Sequence, residues 1–399
     1  MKPFSRQSRV YVAACAVMLG ACLDPITQGA ADPPCAVDQS CALTQGIQVA
    51  VAAGERHACA LSETGGLKCW GGPGLVGDRT RSFRPEPVDV FGLTDGVKAV
   101  SAGKVHTCAL KVDGGVVCWG VGLQGQLGDG TRDETLEPHA VVGLGEAVQG
   151  LASGREHTCV LGVDGAVWCW GANGEGQLGV TTPTISDTPV RVDGLPSDVR
   201  SLSAGANHSC ALASDGRAFC WGSNGKGELG DGTPAATSLP VQVTQLSVAL
   251  ASVSAGDRHT CARAVTGEGY CWGHNAFGEL GDDTSLDSLV PVSPLGLPGV
   301  VTELVAGEGM SCAIGGAGQA FCWGRNSEGQ LGDGTRLHRP RPVAVQGLAE
   351  ATKAVAVGTG FSCAIGGVHQ ALCWGRNADG QLGDGTTDDR TAPAPVKGL

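Results

Sequence analysis

The stretch HTCALKVDGGVVCWGVGLQGQLGDGT, His106 to Thr131, decides the fold, because six further copies of it run through the 399-residue chain. The first cysteine of each copy falls at Cys59, Cys108, Cys159, Cys210, Cys261, Cys312 and Cys363, a step of 51 residues after a first step of 49. A second cysteine follows ten positions later each time, at Cys69, Cys118, Cys169, Cys220, Cys271, Cys322 and Cys373, and Trp-Gly follows it. A fixed period of this length marks a repeat architecture, in which each unit buries its faces against its neighbours.

Within the second copy, strands are expected at 97–103, 106–111 and 116–120, with a fourth, less regular one near Pro138 to Val142. No helical period occurs, so the array is all-β. Cys108 and Cys118 stand directly opposite only if the loop between their strands has an odd number of residues, and Val112-Asp113-Gly114 supplies three. The last loop position needs a left-handed residue, usually Gly. Gly65, Gly114, Gly165, Gly216, Gly267 and Gly318 fill it, and His369 alone breaks the pattern.

The register therefore predicts seven disulfides: Cys59–Cys69, Cys108–Cys118, Cys159–Cys169, Cys210–Cys220, Cys261–Cys271, Cys312–Cys322 and Cys363–Cys373. Each closes a short loop and contributes on the order of 2–3 kcal/mol. Zinc binding is the competing reading, but thiols ten residues apart on facing strands lack the close pairing of a zinc ribbon.

Alternation puts Cys118 on one sheet face and Trp119 on the other, with the residue before each second cysteine sharing the tryptophan's bulky face. Bulky and tight faces stack around a ring. The pattern AGxxHTCAL, VxCWGxNxxGQLGDGT and PxxVxGL resembles the regulator of chromosome condensation repeats. That resemblance implies a seven-bladed β-propeller with four short antiparallel strands per blade. The first copy departs from it, its segment 71–78 being two residues short, and in the third Val180-Thr181-Thr182 replaces Asp-Gly-Thr. A closed ring requires Pro395-Val396 to meet the blade that begins at 46–54.

The amino terminus reads as an export signal: Lys2, Arg6 and Arg9 precede a short apolar core, Val10 to Leu19. Leu19-Gly20-Ala21-Cys22 is similar to the lipobox of bacterial lipoproteins, which implies lipidation of Cys22; ordinary cleavage near Ala21 or Ala30 is the alternative. Leu23 stands where that resemblance would place an inner-membrane retention Asp, which favours outer-membrane delivery, facing the periplasm or the cell surface. The domains expected are a signal peptide at 1–21, a lipid-tethered linker at 22–44 closed by a Cys35–Cys41 disulfide, and the propeller at 45–399. Eighteen cysteines suit such an oxidising address. A net charge of −12 without a Lys/Arg-rich block excludes a nucleic-acid partner.

His57, His106, His157, His208 and His259 recur two residues before the first cysteine, with Met310 and Phe361 in the last two copies. Structural hydrogen bonding is favoured over a metal ring, since Met and Phe fill the same slot. Asp129, Asp231, Asp282, Asp333 and Asp384 lie in Gly-Asp turns without the alternating spacing of a calcium loop, and Asx bonding explains them. Asn173, Asn224, Asn275, Asn326 and Asn377 are explained similarly. The Gly-rich loops open no helix, so phosphate cradling has little support. No nucleophile motif occurs. The reading assigns no catalytic residue, metal or cofactor.

What varies among copies is the turn between the first two strands. It supplies a candidate binding rim of Glu55, Arg56, Lys104, Arg155, Glu156, Asn207, Asp257, Arg258 and Glu308. A second variable run, Arg336 to Arg341, is the most basic in the chain and reads as an edge loop or a contact patch for an anionic partner. The leading expectation is a monomeric, non-enzymatic lipoprotein scaffold that binds a protein, attached to the membrane only through its lipid. Inhibition of a hydrolase is a narrower version, because a related bacterial group with this repeat pattern inhibits β-lactamases. Guanine-nucleotide exchange, the namesake activity, is not expected outside the cytoplasm. The alternative is a carbohydrate-binding or carbohydrate-degrading propeller, favoured if Trp168 or Phe277 stands exposed beside converging carboxylates.

Overall fold

The computed structural model describes residues 48–145, 147–348, 351–367 and 369–399. It contains seven four-stranded antiparallel sheets, each built from one contiguous segment with its strands in chain order, which is the seven-bladed propeller. In blade 2 the strands are Val97–Ala102, His106–Lys111, Val116–Gly120 and Thr135–Ala140. The fourth starts three residues earlier than expected. Its register jumps from Gly120 opposite Thr135 to Cys118 opposite His139, so an irregularity in the outer strand breaks the alternation used to place it.

The hairpin behaves as the loop count requires. Cys108 faces Cys118, Gly114 N–H donates to Lys111 O at 3.0 Å, and Gly114 has φ +85°. His369, the exception, adopts the same left-handed conformation at φ +63°. All seven predicted repeat disulfides are present, with Cα separations of 4.0–4.1 Å. The predicted Cys35–Cys41 pair, Cys22 and the signal lie outside the described residues.

Blades stack cysteine face to tryptophan face. Leu61, Leu67, Cys59 and Cys69 of blade 1 form one cluster with Val97, Val100, Ala109 and Trp119 of blade 2. All seven Trp-Gly tryptophans are fully buried, and each donates its indole N–H to a backbone carbonyl of the preceding blade: Trp119 to Leu75 O at 3.0 Å, Trp170 to Gln126 O at 2.9 Å. The shortened first loop thus still delivers its carbonyl. The glycine after each tryptophan is required by close approach: Gly120 has φ +106°, and a Cβ there would lie 2.6 Å from Val105 O.

The ring shuts at the junction of blades 7 and 1. Trp70 donates to Gln381 O at 2.8 Å, and Val396 joins Trp70, Phe361 and Ala58 in one core cluster. The last strand, Arg390–Pro395, pairs only inside blade 7, so closure is by packing and not by strand exchange. Every outermost strand carries proline, as in Pro138 of blade 2 and Pro240 of blade 4, which blocks further pairing at the exposed edges.

Candidate functional site

The turns between first and second strands converge on one mouth of the central channel. There, backbone bonds run from blade to blade: Glu55 N–H to Lys104 O (3.2 Å), Lys104 to Arg155 O (3.3 Å), Arg155 to Gly205 O (3.1 Å), Ala206 to Gly256 O (3.1 Å), Asp257 to Gly307 O (3.0 Å) and Thr359 to Gly54 O (3.0 Å). Only the junction of blades 6 and 7 lacks this bond among the described residues. Val357 replaces the Ala or Ser of the other blades there, and its Cγ1 fills the space beside Gly307.

The predicted rim residues divide into two sets. Glu55, Lys104, Arg155, Asp257 and Glu308 line a cavity of about 380 Å³ at the mouth, joined by Arg325 and Arg376 from the ends of third strands. Arg56, Glu156, Asn207 and Arg258 do not line it. Their carbonyls accept the N–H of the residue after Trp-Gly, as Glu156 O does from Ala172 at 2.8 Å, so the second turn residue serves the blade. Arg56 turns outward, its Nε 2.9 Å from Asp379 Oδ1. Variability alone could not separate the two sets.

The mouth carries charges of both signs, ion-paired around the ring. Lys104 and Arg155 stand on blades 2 and 3, Asp257 and Glu308 on blades 5 and 6. Arg155 Nη1 reaches Asp257 Oδ1 at 4.0 Å across blade 4, where the turn holds only Ala206; Lys104 pairs with Glu55 at 3.6 Å and Arg325 with Glu308 at 3.6 Å. Burial and the neighbouring Glu308 raise the pKa of Asp257 above the usual carboxylate range.

A second, smaller cavity of about 160 Å³ opens beside the mouth between blades 5 and 6, lined by Arg258, His274, Phe277 and Glu279 and sharing Asp257, Glu308 and Arg325 with the first. Sequence reasoning missed its centre, a His274 Nδ1–Glu279 Oε1 pair at 2.8 Å in which Glu279 is fully buried. The available signal was His274 itself, which takes the position after Trp-Gly held by Gly, Val, Ala, Ser or Arg in the other copies; the Glu of Glu279 also occurs as Glu228 in blade 4, which has no histidine there. The hydrogen bond to Glu279 raises the His274 pKa. Phe277 is 38% exposed, with His338 at 5.0 Å. Trp168 is half-buried against the junction of blades 2 and 3.

The five recurring histidines knit blades together. Each Nε2 meets the hydroxyl one residue before the next blade's first cysteine: His57 with Thr107 (2.6 Å), His106 with Thr158 (2.9 Å), His157 with Ser209 (2.8 Å), His208 with Thr260 (2.9 Å) and His259 with Ser311 (2.8 Å). Thr158 in turn donates to Gln126 O at 3.1 Å, so its single proton is committed and His106 Nε2–H must be the donor. Where Phe361 replaces His, its partner position is Ala58, an apolar pair at the ring's seam. Burial pushes His57, His157 and His259 down to about 4 and His106 and His208 to about 3.

Loop asparagines and aspartates act as turn hubs. Asn275 Nδ2 donates to Asp282 Oδ1 (3.2 Å) and Leu286 O (3.1 Å), while its Oδ1 accepts from Leu280 N (2.9 Å). The basic run is neutralised: Arg336 pairs with Asp389 at 3.2 Å, Arg339 with Asp333 at 2.8 Å, and Arg341 with Asp283. It is an edge loop bound to its own and neighbouring blades.

Residues 72–399 match the RCC1-like domain family model, and residues 48–74 match the regulator of chromosome condensation (RCC1) repeat. The ultraviolet-B receptor UVR8 of Arabidopsis thaliana is 30% identical over 361 residues, 88% of this chain and 81% of its own length. The human E3 ubiquitin-protein ligase HERC2 is 32% identical over 69% of this chain, which spans 6% of that much longer protein. Among solved structures, Prp20p from Saccharomyces cerevisiae superposes with a TM-score of 0.72 at 22% identity, over 79% of this chain and 82% of its own. On the match over 72–399 and the kinship with UVR8, the chain belongs to the family of RCC1-like domains.

Proposed function

We propose that this chain is an exported lipoprotein whose propeller serves as a rigid, non-catalytic scaffold and binds a protein at the charged mouth. The observation that carries the reading is the ring of acidic and basic side chains at the mouth, Glu55, Lys104, Arg155, Asp257, Glu308 and Arg376, on a frame fixed by interblade backbone bonds. A fixed pattern of charges of both signs selects one orientation of a partner. Prp20p, of the same fold, binds Gsp1p and histones, which supports protein recognition as a use of this architecture. Seven intrablade disulfides favour an oxidising compartment, in keeping with the signal at 1–21, lipidation at Cys22 and a linker at 22–44 with Cys35–Cys41 bridged. Arg155→Glu and Lys104→Glu should abolish capture of a partner from an outer-membrane extract, whereas Glu156→Lys, off the mouth, should leave it intact. Equal capture by all three removes the mouth from consideration. Cys22→Ala should release the protein from the membrane fraction.

One observation favours a second reading. Phe277 is exposed beside Asp257, Glu279 and Glu308, the aromatic-plus-carboxylate arrangement that sugar recognition uses. A glycan array with wild type and Phe277→Ala decides it: loss of a glycan signal in the variant supports the carbohydrate reading, and no signal from wild type dismisses it.

A further inference from the structure

The end of the propeller opposite the mouth carries a continuous apolar surface. The mouth lies at the turns between first and second strands, and because consecutive strands are antiparallel, the hairpins that join second to third strands stand at the other end. Val265 opens the hairpin of blade 5 there and is 59% exposed; Val112 and Val163 hold the same position in blades 2 and 3 and are exposed as well. Between the hairpins of blades 5 and 6 stands Val300, 57% exposed. Its carbonyl accepts the Gly316 N–H at 2.8 Å, and a Cβ at Gly267 would lie 2.7 Å from its Cγ1. The two hairpins and Val300 therefore form one surface, with Pro298 and Ala317 exposed beside it.

This surface is where the repeat loses its charge. The middle hairpin residue is Asp113, Asp164 and Asp215 in blades 2, 3 and 4, but Thr266 and Ala317 in blades 5 and 6, and the position of Val300 is Asp198 in blade 4. Across residues 264–268, 292–300 and 315–319 the one charged side chain is Glu268, which accepts the Thr266 hydroxyl. Apolar surface held in water is unfavourable in proportion to its area, and an uncharged patch of this kind marks a contact.

The course of the chain indicates what the contact is. Gln48, which begins the first strand, pairs with Ser62, the last residue before the first hairpin, so the chain enters the propeller at this end and not at the mouth. Residues 23–47 join Gln48 to Cys22, a span of at most about 90 Å.

We propose that this end of the propeller lies on the bilayer, with Val265, Val300 and Ala317 at the lipid interface and the mouth directed away from the membrane, open to a partner arriving from solution. The proposal rests on lipidation at Cys22. A tether of that length concentrates the propeller at the surface without orienting it, so a weak apolar contact decides which end meets the lipid. With a net charge of −12, the chain is suited to a zwitterionic surface and not an anionic one.

The test uses the mature chain from Cys22 on phosphatidylcholine vesicles with brominated acyl chains, and one added tryptophan at a time. Val265→Trp should show blue-shifted emission that the bromine quenches, whereas Leu123→Trp, on an exposed loop at the mouth end, should show neither. Val300→Asp combined with Ala317→Asp, which installs residues that blades 4 and 2 already carry at these positions, should cut the quenching of Val265→Trp severalfold. Intact mass reads the lipid on Cys22 separately. If that lipid is absent, the lipidation reading fails, and the same quenching is measured with a hexahistidine tag at residue 22 held on nickel-chelating lipid. Equal quenching at positions 265 and 123, or none at 265, overturns the proposal. A dimer in solution that the double aspartate variant dissociates also overturns it, because a second copy then covers the patch.

Discussion

Trp70 donates its indole N–H to Gln381 O at 2.8 Å, 311 residues away in sequence, and so repeats at the seam the bond that the six other Trp-Gly tryptophans make 44 residues back. The seam is one more blade junction and not a weaker splice. Replacing Trp70 by Phe deletes the donor, leaves Gln381 O short of a partner and opens a cavity, at a cost on the order of 2–3 kcal/mol. Because the ring shares its packing cyclically, Trp70→Phe and Trp119→Phe, each of which strips a carbonyl of its indole donor, should lower the denaturant midpoint by similar amounts. A much larger loss for Trp70 would show that the termini form a special joint.

The disulfides brace the blades individually. Each closes a hairpin of the same size, so removing one by a double Cys→Ala change, at Cys210 and Cys220 for example, should cost about 2–3 kcal/mol without altering the other six. Thiol counting on the unreduced, denatured protein should find none of the fourteen repeat cysteines free. Reactive thiols among them would contradict the bridged blade.

Much of this was legible because the repeat superimposes seven independent readings of one unit. Loop parity fixed Cys108 opposite Cys118, and alternation fixed which face carries Trp119. The outer strand was misplaced because its register jumps between Cys118 and Gly120, and a period-2 argument has no means to see an inserted irregularity. The rim was half legible. The sequence showed which turn varies but not that Glu55 faces the channel while Arg56 turns to Asp379, since that depends on a carbonyl contact across the blade. Departures from the consensus confined to single blades, Val300 and the His274–Glu279 pair, were visible as exceptions, but their meaning needed the neighbouring blades in place.

The histidine belt sets an acid limit on stability. The five rings have folded pKa values of about 3 or 4, below the ordinary 6.5, so between pH 6.5 and about 4 the unfolded chain binds protons that the folded chain refuses. Their contribution is complete above pH 6.5 and is lost as pH falls through that window. The pair at the seam shows how to remove one member. His106→Phe with Thr158→Ala, which copies Phe361 and Ala58, should flatten the fall in urea midpoint between pH 6.5 and 4.5 relative to wild type. An unchanged slope would mean that these rings are not the groups titrating.

Glu303 acts with the opposite sign. It stands half-buried on the innermost strand of blade 6, accepts the Val355 N–H alone among the described residues, and burial pushes its pKa up to about 8, against a modest opposing pull from Arg263. A folded pKa above the unfolded value of 4.5 means that the folded chain holds a proton the unfolded chain gives up. Stability from this group is full below pH 4.5 and is lost as pH rises toward 8. Five histidines outweigh one glutamate below pH 6.5, whereas above it Glu303 titrates with the histidines already silent, so the stability optimum falls near pH 6 to 7. Glu303→Gln keeps the size and an acceptor for Val355 but cannot ionise. It should match wild type at pH 5 and exceed it at pH 9 by on the order of 2 kcal/mol in equilibrium unfolding. Equal stability of the two proteins at pH 9 would show that Glu303 ionises without strain, compensated by Arg263 after all.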